Sequence, residues 1–184
     1  MKHTILTAAI AGTLGMSLIL TSSGASATEA KSAHDACAAP NTVSRHIEVF
    51  DDLDFNVYSH QKWDELKKSH SSDILVHYPD GHTSKGIAAH IEELKKVFTF
   101  APDTRVSAHP VKFGAGEWTS VIGVMEATFT KPLDFGNGKS QPPTGKKLKL
   151  QMATVGHWNK DCVMDEEYLF WDNTAYAQQL GIGQ

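Results

Sequence analysis

Residues 117–129 are apolar on both of their alternating sets: Trp118, Ile122 and Val124 on one, Val121, Met125, Ala127 and Phe129 on the other. Successive side chains of a strand point to opposite faces, so this strand needs cover on both sides. Three further β-rich segments, 104–113, 146–159 and 162–172, flank it and are joined mainly by Gly, Pro and Asn turns, which predicts an antiparallel sheet. The cover for one face lies upstream. Val43, Ile47, Phe50 and Val57 recur close to helical spacing behind Asn41 or Thr42 as cap, and a second short helix is expected over 61–70. A first strand over 73–78 ends at the turn Pro79-Asp80-Gly81. Gly86 then opens a third helix whose Ile87, Ile91, Leu94 and Phe98 form one stripe before Pro102. A last short helix is expected over 174–180. The Gly- and Pro-rich segment 132–145 is too long for a tight hairpin and is placed to cover a cavity mouth.

Three helices followed by a long, bent, mainly antiparallel sheet make an α+β fold with a pocket between the layers. The simplest cover for the sheet's other face is a second copy of the chain, so a homodimer through the outer sheet face is expected.

The start of the chain reads as a secretory signal over residues 1–27: Lys2 and His3, then an uncharged stretch, then Ala25-Ser26-Ala27 as a small-residue cleavage site. Gly12, Gly15 and several Thr and Ser dilute its apolar run, and a spanning helix needs about 20 mostly apolar residues. No later segment is long and apolar enough to span a bilayer, so no stable membrane insertion is expected after cleavage. Residues 28–40 read as a flexible leader and 41–184 as one domain. The product is expected to be periplasmic or secreted. The whole chain has 17 basic and 21 acidic residues, net charge -4. Residues 1–27 hold one Lys and no acid, so the remainder has 16 against 21, or -5. That balance excludes nucleic acid as a partner. Of the two cysteines, Cys37 and Cys162, a bridge is compatible with an oxidising compartment, and two unpaired thiols are the alternative.

Pro143-Thr144-Gly145-Lys146 resembles the P-T-G-K that precedes the penultimate strand of SnoaL-like ester cyclases, a branch of the nuclear transport factor 2-like superfamily. Trp171-Asp172-Asn173 and Gln178-Gln179-Leu180-Gly181 extend the resemblance, and the order of elements matches from about Thr42 to Gly181. The resemblance implies a cone-shaped fold and a small-molecule pocket. In the characterised polyketide cyclases of the family an acid/base Asp and a His lie on the last strand in a motif resembling E-H-W-D, and they close a ring by a cofactor-free aldol reaction. Counting back from Asp172 places Glu166, Glu167, Tyr168 and Leu169 there. The family's Asp falls on Leu169 and its His on Glu167, so that mechanism does not carry over intact.

Adjacent strand residues face opposite ways, which separates Glu166 from Glu167 and puts Asp165 and Glu167 on one face. With a two-residue turn at Lys160-Asp161, Trp158 sits opposite Val163, Thr154 opposite Glu167 and Met152 opposite Leu169. The cavity wall would then hold Met152, Thr154, Asp165, Glu167 and Trp171, and a one-residue slip would instead bring in His157, Glu166 and Tyr168. Two carboxylates about 7 Å apart repel by roughly 2.4 kcal/mol at an effective dielectric near 20, enough to favour a proton on one of them near neutrality. Glu167 is thus the expected acid/base, assisted by Asp165 and by His77 on the first strand, with Trp118 as a possible pocket lining. His82 and His90 are expected to face solvent. Glu126 interrupts an apolar strand, as a functional or a peripheral charge. The ten histidines include no His-x-His, His-x-x-Glu-His or His-Glu-x-x-His spacing, so no metal and no cofactor is expected, and a metal would need ligands gathered from separate elements.

The functional expectation is a pocket protein for a small apolar or polyketide-like compound, acting as a cofactor-free cyclase, isomerase, dehydratase or hydrolase. The alternative is a non-catalytic binding protein of the cell envelope, and a third reading is a structural dimerisation module.

Overall fold

The amphipathic stripe that begins at Val43 forms helix α1, Thr42–Asp52, with His46 and Phe50 buried. It continues into a wider π-helical segment, Leu53–Tyr58, whose Leu53, Val57 and Tyr58 are also buried. The computed structural model describes residues 42–183, all within one compact unit; the expected signal and leader lie outside the described residues.

The second helix is shorter than expected. It is a single 3-10 segment, Trp63–Lys68, and His70 begins strand β1, His70–His77. β2, Thr83–Lys85, pairs with β1 and leads to helix α2, Ile87–Phe100. Gly86 precedes α2 at φ 89, a backbone that side chains other than glycine's rarely adopt. The long strands follow: β3, Arg105–Ala115, and β4, Trp118–Thr128. The 132–145 segment is not wholly irregular, since β5, Leu133–Gly136, and β6, Lys139–Gln141, form a small hairpin. β7, Lys147–Trp158, β8, Met164–Phe170, and helix α3, Asn173–Leu180, complete the chain.

The main sheet runs β2-β1-β8-β7-β4-β3. Among the described residues its pairings are antiparallel except β1 with β8, which is parallel. Its inner face carries Val121, Thr154, Trp158, Met164 and Leu169, packed with Phe50, Val57, Leu66 and Ile74. Trp158 is fully buried, stacks on His46 at 4.6 Å and donates its indole N–H to Thr119 Oγ1 at 2.8 Å. Its one polar atom is therefore satisfied. The outer face keeps large apolar groups in solvent: Val111, Phe113, Trp118 and Phe170 are all more than two-fifths exposed.

The last hairpin differs in register from the expected one. Thr154 pairs with Leu169, Gly156 with Glu167 and Trp158 with Met164. The turn is longer than two residues: Asn159 N–H bonds Val163 O, and Cys162 takes φ 58 within it. That shifts the pairing by one residue. A β-bulge between His157 and Trp158 shifts it by a second, because Asp165 is an extra residue between Met164 and Glu166. Two slips restore the face of every residue beyond the bulge, so Glu167 faces inward as expected. Asp165 does not: in a bulge the two residues opposite one partner point to the same side, and Asp165 lies with Glu166 on the outer face. Cys162 is disulfide-bonded; the other cysteine, Cys37, lies outside the described residues.

Candidate functional site

A cavity of about 350 Å3 opens between α2, the helical segments before it and the inner face of the sheet. Its walls are mainly apolar, with Leu94, Val97, Phe100, Met125, Leu150 and Met152 prominent. Leu133 of the β5–β6 hairpin and Ile182 line it too. That hairpin is held over the C-terminal helix, because Gln141 Nε2 donates to Gly181 O and Thr144 Oγ1 donates to Leu180 O, each at 2.6 Å. The expected cover at the cavity mouth is thus a docked structure.

Four expected site residues line this cavity: Glu167, Met152, Thr154 and Trp171; Leu169 lies among them. The others are elsewhere. Val76 is the β1 residue paired with Glu167 and faces inward, so its neighbour His77 faces outward. There His77 Nε2 meets Glu166 Oε1 at 2.9 Å, the ring stacks on Tyr168 at 4.1 Å, and Tyr168 Oη donates to Glu166 at 2.7 Å. Asp165 holds His157 Nδ1 at 2.6 Å, and Trp118 packs 4.7 Å from that imidazole. His77, Asp165, His157, Glu166, Tyr168 and Trp118 therefore form an outer-face network; His77, Tyr168 and Trp171 border a second hollow of about 260 Å3. Glu126 is also peripheral, paired to Arg105 at 2.5 Å and Lys149 at 3.4 Å.

Two polar clusters face the main cavity. The first is His70, His90 and Glu167, with side chains 1%, 2% and 5% exposed. Glu167 Oε2 lies 3.7 Å from His70 Nε2 and 3.5 Å from His90 Nε2. The solvent-facing place expected for His90 is thus corrected: it follows Ile87 by three residues and precedes Leu94 by four, which puts it on the buried stripe of α2. Burial lowers His90 to about 4. Burial pushes the Glu167 carboxyl upward, but the two imidazoles outweigh it and hold the group below the usual carboxylate range. At neutral pH the cluster holds an anionic carboxylate beside a neutral His90.

The second cluster was not foreseen. Asp54 lines the cavity, and its Oδ2 meets His109 Nε2 at 2.8 Å; His109 Nδ1 meets Asp51 Oδ1 at 2.8 Å, and Asp51 is held at 2.6 Å by Lys112 Nζ. The His109 ring is 1% exposed and lies 4.4 Å from Phe55. Burial drives Asp54 above the usual carboxylate range, against the lowering effect of its bond to His109, and the Glu167 charge adds to the rise. For His109, burial acts downward, but the two carboxylates outweigh it and raise the imidazole.

A sheet and helices closing on one mainly apolar chamber with acids and imidazoles in its wall define a nuclear transport factor 2-like pocket protein. The family follows from sequence: residues 48–180 match the SnoaL-like polyketide cyclase family, and this chain belongs to it. Solved structures agree on the fold. A putative SnoaL-like polyketide cyclase from Jannaschia sp. CCS1 is 15% identical with TM-score 0.67, covering 79% of this chain and 97% of that one. IdmH, a putative polyketide cyclase from Streptomyces antibioticus, is 17% identical with TM-score 0.63, covering 74% and 98%. A putative polyketide cyclase from Acidithiobacillus ferrooxidans is 21% identical with TM-score 0.62, covering 76% and 96%. No curated protein matches the chain in sequence.

Proposed function

We propose that this chain is an exported enzyme that encloses a small, largely apolar carbonyl compound and moves a proton on it. The observation that carries the reading is Asp54, a buried carboxylate in the cavity wall tied through His109 to Asp51. A carboxyl whose proton affinity is raised by burial is suited to take up a proton and return it. Its imidazole partner is anchored at both ring nitrogens, which fixes the carboxylate's position. Glu167, with His70 and His90, makes the polar end of the chamber, and the cavity volume falls within the range of small-molecule sites. Removing a proton next to a carbonyl and returning it elsewhere is the step shared by cyclisation, isomerisation and dehydration. Export is supported by the signal-like start and by the disulfide at Cys162. A homodimer through the outer sheet face is supported by the exposed Val111, Phe113, Trp118 and Phe170.

One observation favours a second reading. Leu169 occupies the cavity wall where the family's catalytic Asp is expected, which suits a binding protein without turnover. A small bicyclic β-diketone in D2O, followed by NMR, separates the two. Accelerated C–H exchange that is lost in Asp54→Asn, with probe binding kept, supports the enzyme. Binding without exchange in the unaltered protein supports the carrier and ends the catalytic reading. Light scattering over a range of concentrations tests the dimer.

A further inference from the structure

His70, His90 and Glu167 come from three separate elements, the start of β1, the first turns of α2 and the middle of β8. Each contributes one ligand atom, and these atoms lie within 4.8 Å of one another. Two of them present a problem for the bare protein. His70 Nε2 and Glu167 Oε2 are buried and, among the described residues, have no hydrogen-bond partner. A buried polar atom left without a partner keeps the full cost of its lost hydration, so a pair of them aimed at one point is a sign of something they hold.

The surrounding hydrogen bonds show what kind of group that is. The Ser69 hydroxyl donates to Leu66 O at 3.0 Å, so its oxygen is left to accept from His70 Nδ1 at 2.9 Å. That puts a hydrogen on Nδ1, so that in the neutral ring Nε2 carries a bare lone pair directed toward a carboxylate oxygen 3.7 Å away. In that form two electron-rich atoms face each other, and among the described residues no donor lies between them. His90 is anchored at the same ring nitrogen: its Nδ1 meets Tyr78 Oη at 2.9 Å, and Tyr78 Oη also meets Ser84 Oγ at 3.2 Å. Both imidazoles are oriented through Nδ1, with Nε2 turned to Glu167.

We propose that His70 Nε2, His90 Nε2 and Glu167 Oε2 form a site for one divalent first-row transition ion, zinc in the first place, with its remaining coordination positions open to the cavity. The spacing suits it. Two metal bonds of about 2.0–2.1 Å meeting at a tetrahedral angle span about 3.3 Å; the two separations from Glu167, 3.5 and 3.7 Å, need to close by only a few tenths of an ångström, and the two imidazole nitrogens lie within 4.8 Å of each other. Two imidazoles and one carboxylate leave positions free for water or for a ligand oxygen, as catalytic sites of this ion do. Ser69 and Tyr78 supply the outer hydrogen bonds such sites use to orient their histidines. The inference deepens the proposed function, because the ion is what would grip the polar end of the bound compound. It needs neither ligand nor turnover to be tested, so it can fail while proton transfer by Asp54 stands, and the reverse.

The test uses the purified chain, stripped with EDTA and dialysed, then titrated with zinc alone by calorimetry and assayed for bound metal. One zinc per chain is expected. Glu167→Gln and His90→Gln should each lose more than the about 10–100-fold in affinity that an outer-shell change costs, and Tyr78→Phe should fall within that range. The outer face has its own imidazole–carboxylate pairs, so a His77→Ala/His157→Ala double variant serves as control and should keep the single equivalent. Cobalt(II) in the unaltered protein gives a reading that depends on no variant: X-ray absorption should show two imidazoles among its nitrogen and oxygen ligands. A folded protein that takes up no zinc overturns the proposal. So does uptake that survives Glu167→Gln but disappears in the outer-face double variant, or a cobalt shell without two imidazoles.

Discussion

Replacing His109 by Phe keeps a ring between Phe50 and Phe55 but removes both 2.8 Å bonds to Asp51 and Asp54. Asp51 retains Lys112; Asp54 is left unpaired in an apolar wall. Breaking a buried pair by removing one partner costs about 3–5 kcal/mol, and the low end applies here because Asp54 can escape by taking a proton. That escape sets a pH signature. Asp54 already titrates above its ordinary value of 3.8 in the unaltered protein, and without His109 it titrates higher still. Between those two values only the variant's native state keeps the proton that the unfolded chain has released. Native binding of an extra proton makes stability fall as pH rises, by up to about 1.4 kcal/mol per pH unit. His109 itself is silent below its unfolded value of 6.5, where it is protonated in both states; its contribution to the unaltered protein is complete there and is lost as pH rises through its raised native value. Urea unfolding of both proteins at half-unit steps between the ordinary values of the two groups, 3.8 and 6.5, is therefore the assay. The stability gap should widen across that window, reaching about 3 kcal/mol at its upper end. A gap that stays constant with pH would refute the coupling of Asp54 to His109 and, with it, the physical basis for Asp54 as an acid/base.

Two further outcomes test the frame around the cavity. An added methyl at Gly156 would meet Met164 Sδ at 2.5 Å in a fully buried setting; Gly156→Ala should cost about 1–3 kcal/mol by urea unfolding, and an unchanged midpoint would mean that β7 and β8 pack loosely behind Glu167. Asp172 caps α3 by accepting from the Thr174 and Ala175 N–H groups, so Asp172→Ala should lose about 1 kcal/mol, seen as faster hydrogen exchange in α3 before any in the sheet.

Much of this architecture is written in local patterns. The stripe from Ile87 to Phe98 gives α2 and the two-sided 117–129 segment gives β4, because both depend on a period set by the backbone itself. The same periodicity held two site residues that went unread. Asp54 falls four residues after Phe50 and three before Val57, on the apolar stripe of the first helical stretch, and His90 falls on that of α2. A titratable group on an apolar stripe is a signal for a buried functional side chain. His70 and His109 carry no such mark. His70 stands among serines, and its burial comes from α2 folding across β1; His109 is buried because β3 is twice irregular in its pairing and brings it against α1 and the π-helical segment. Asp165 was misplaced for the reason that makes strands readable at all, since alternation predicts faces only while every residue has a partner.

The bulge at that position has a wider consequence. One surplus residue lets Met164 and Glu167 both look inward although three places apart, and it hands the exterior a carboxylate that the interior never sees. Substituting Asp165 would leave His157 with Glu117 alone, 3.5 Å away, and leave the chamber's acid where it is. The strand thus carries two independent texts, and the side that meets neighbours can be rewritten without touching the side that meets the guest.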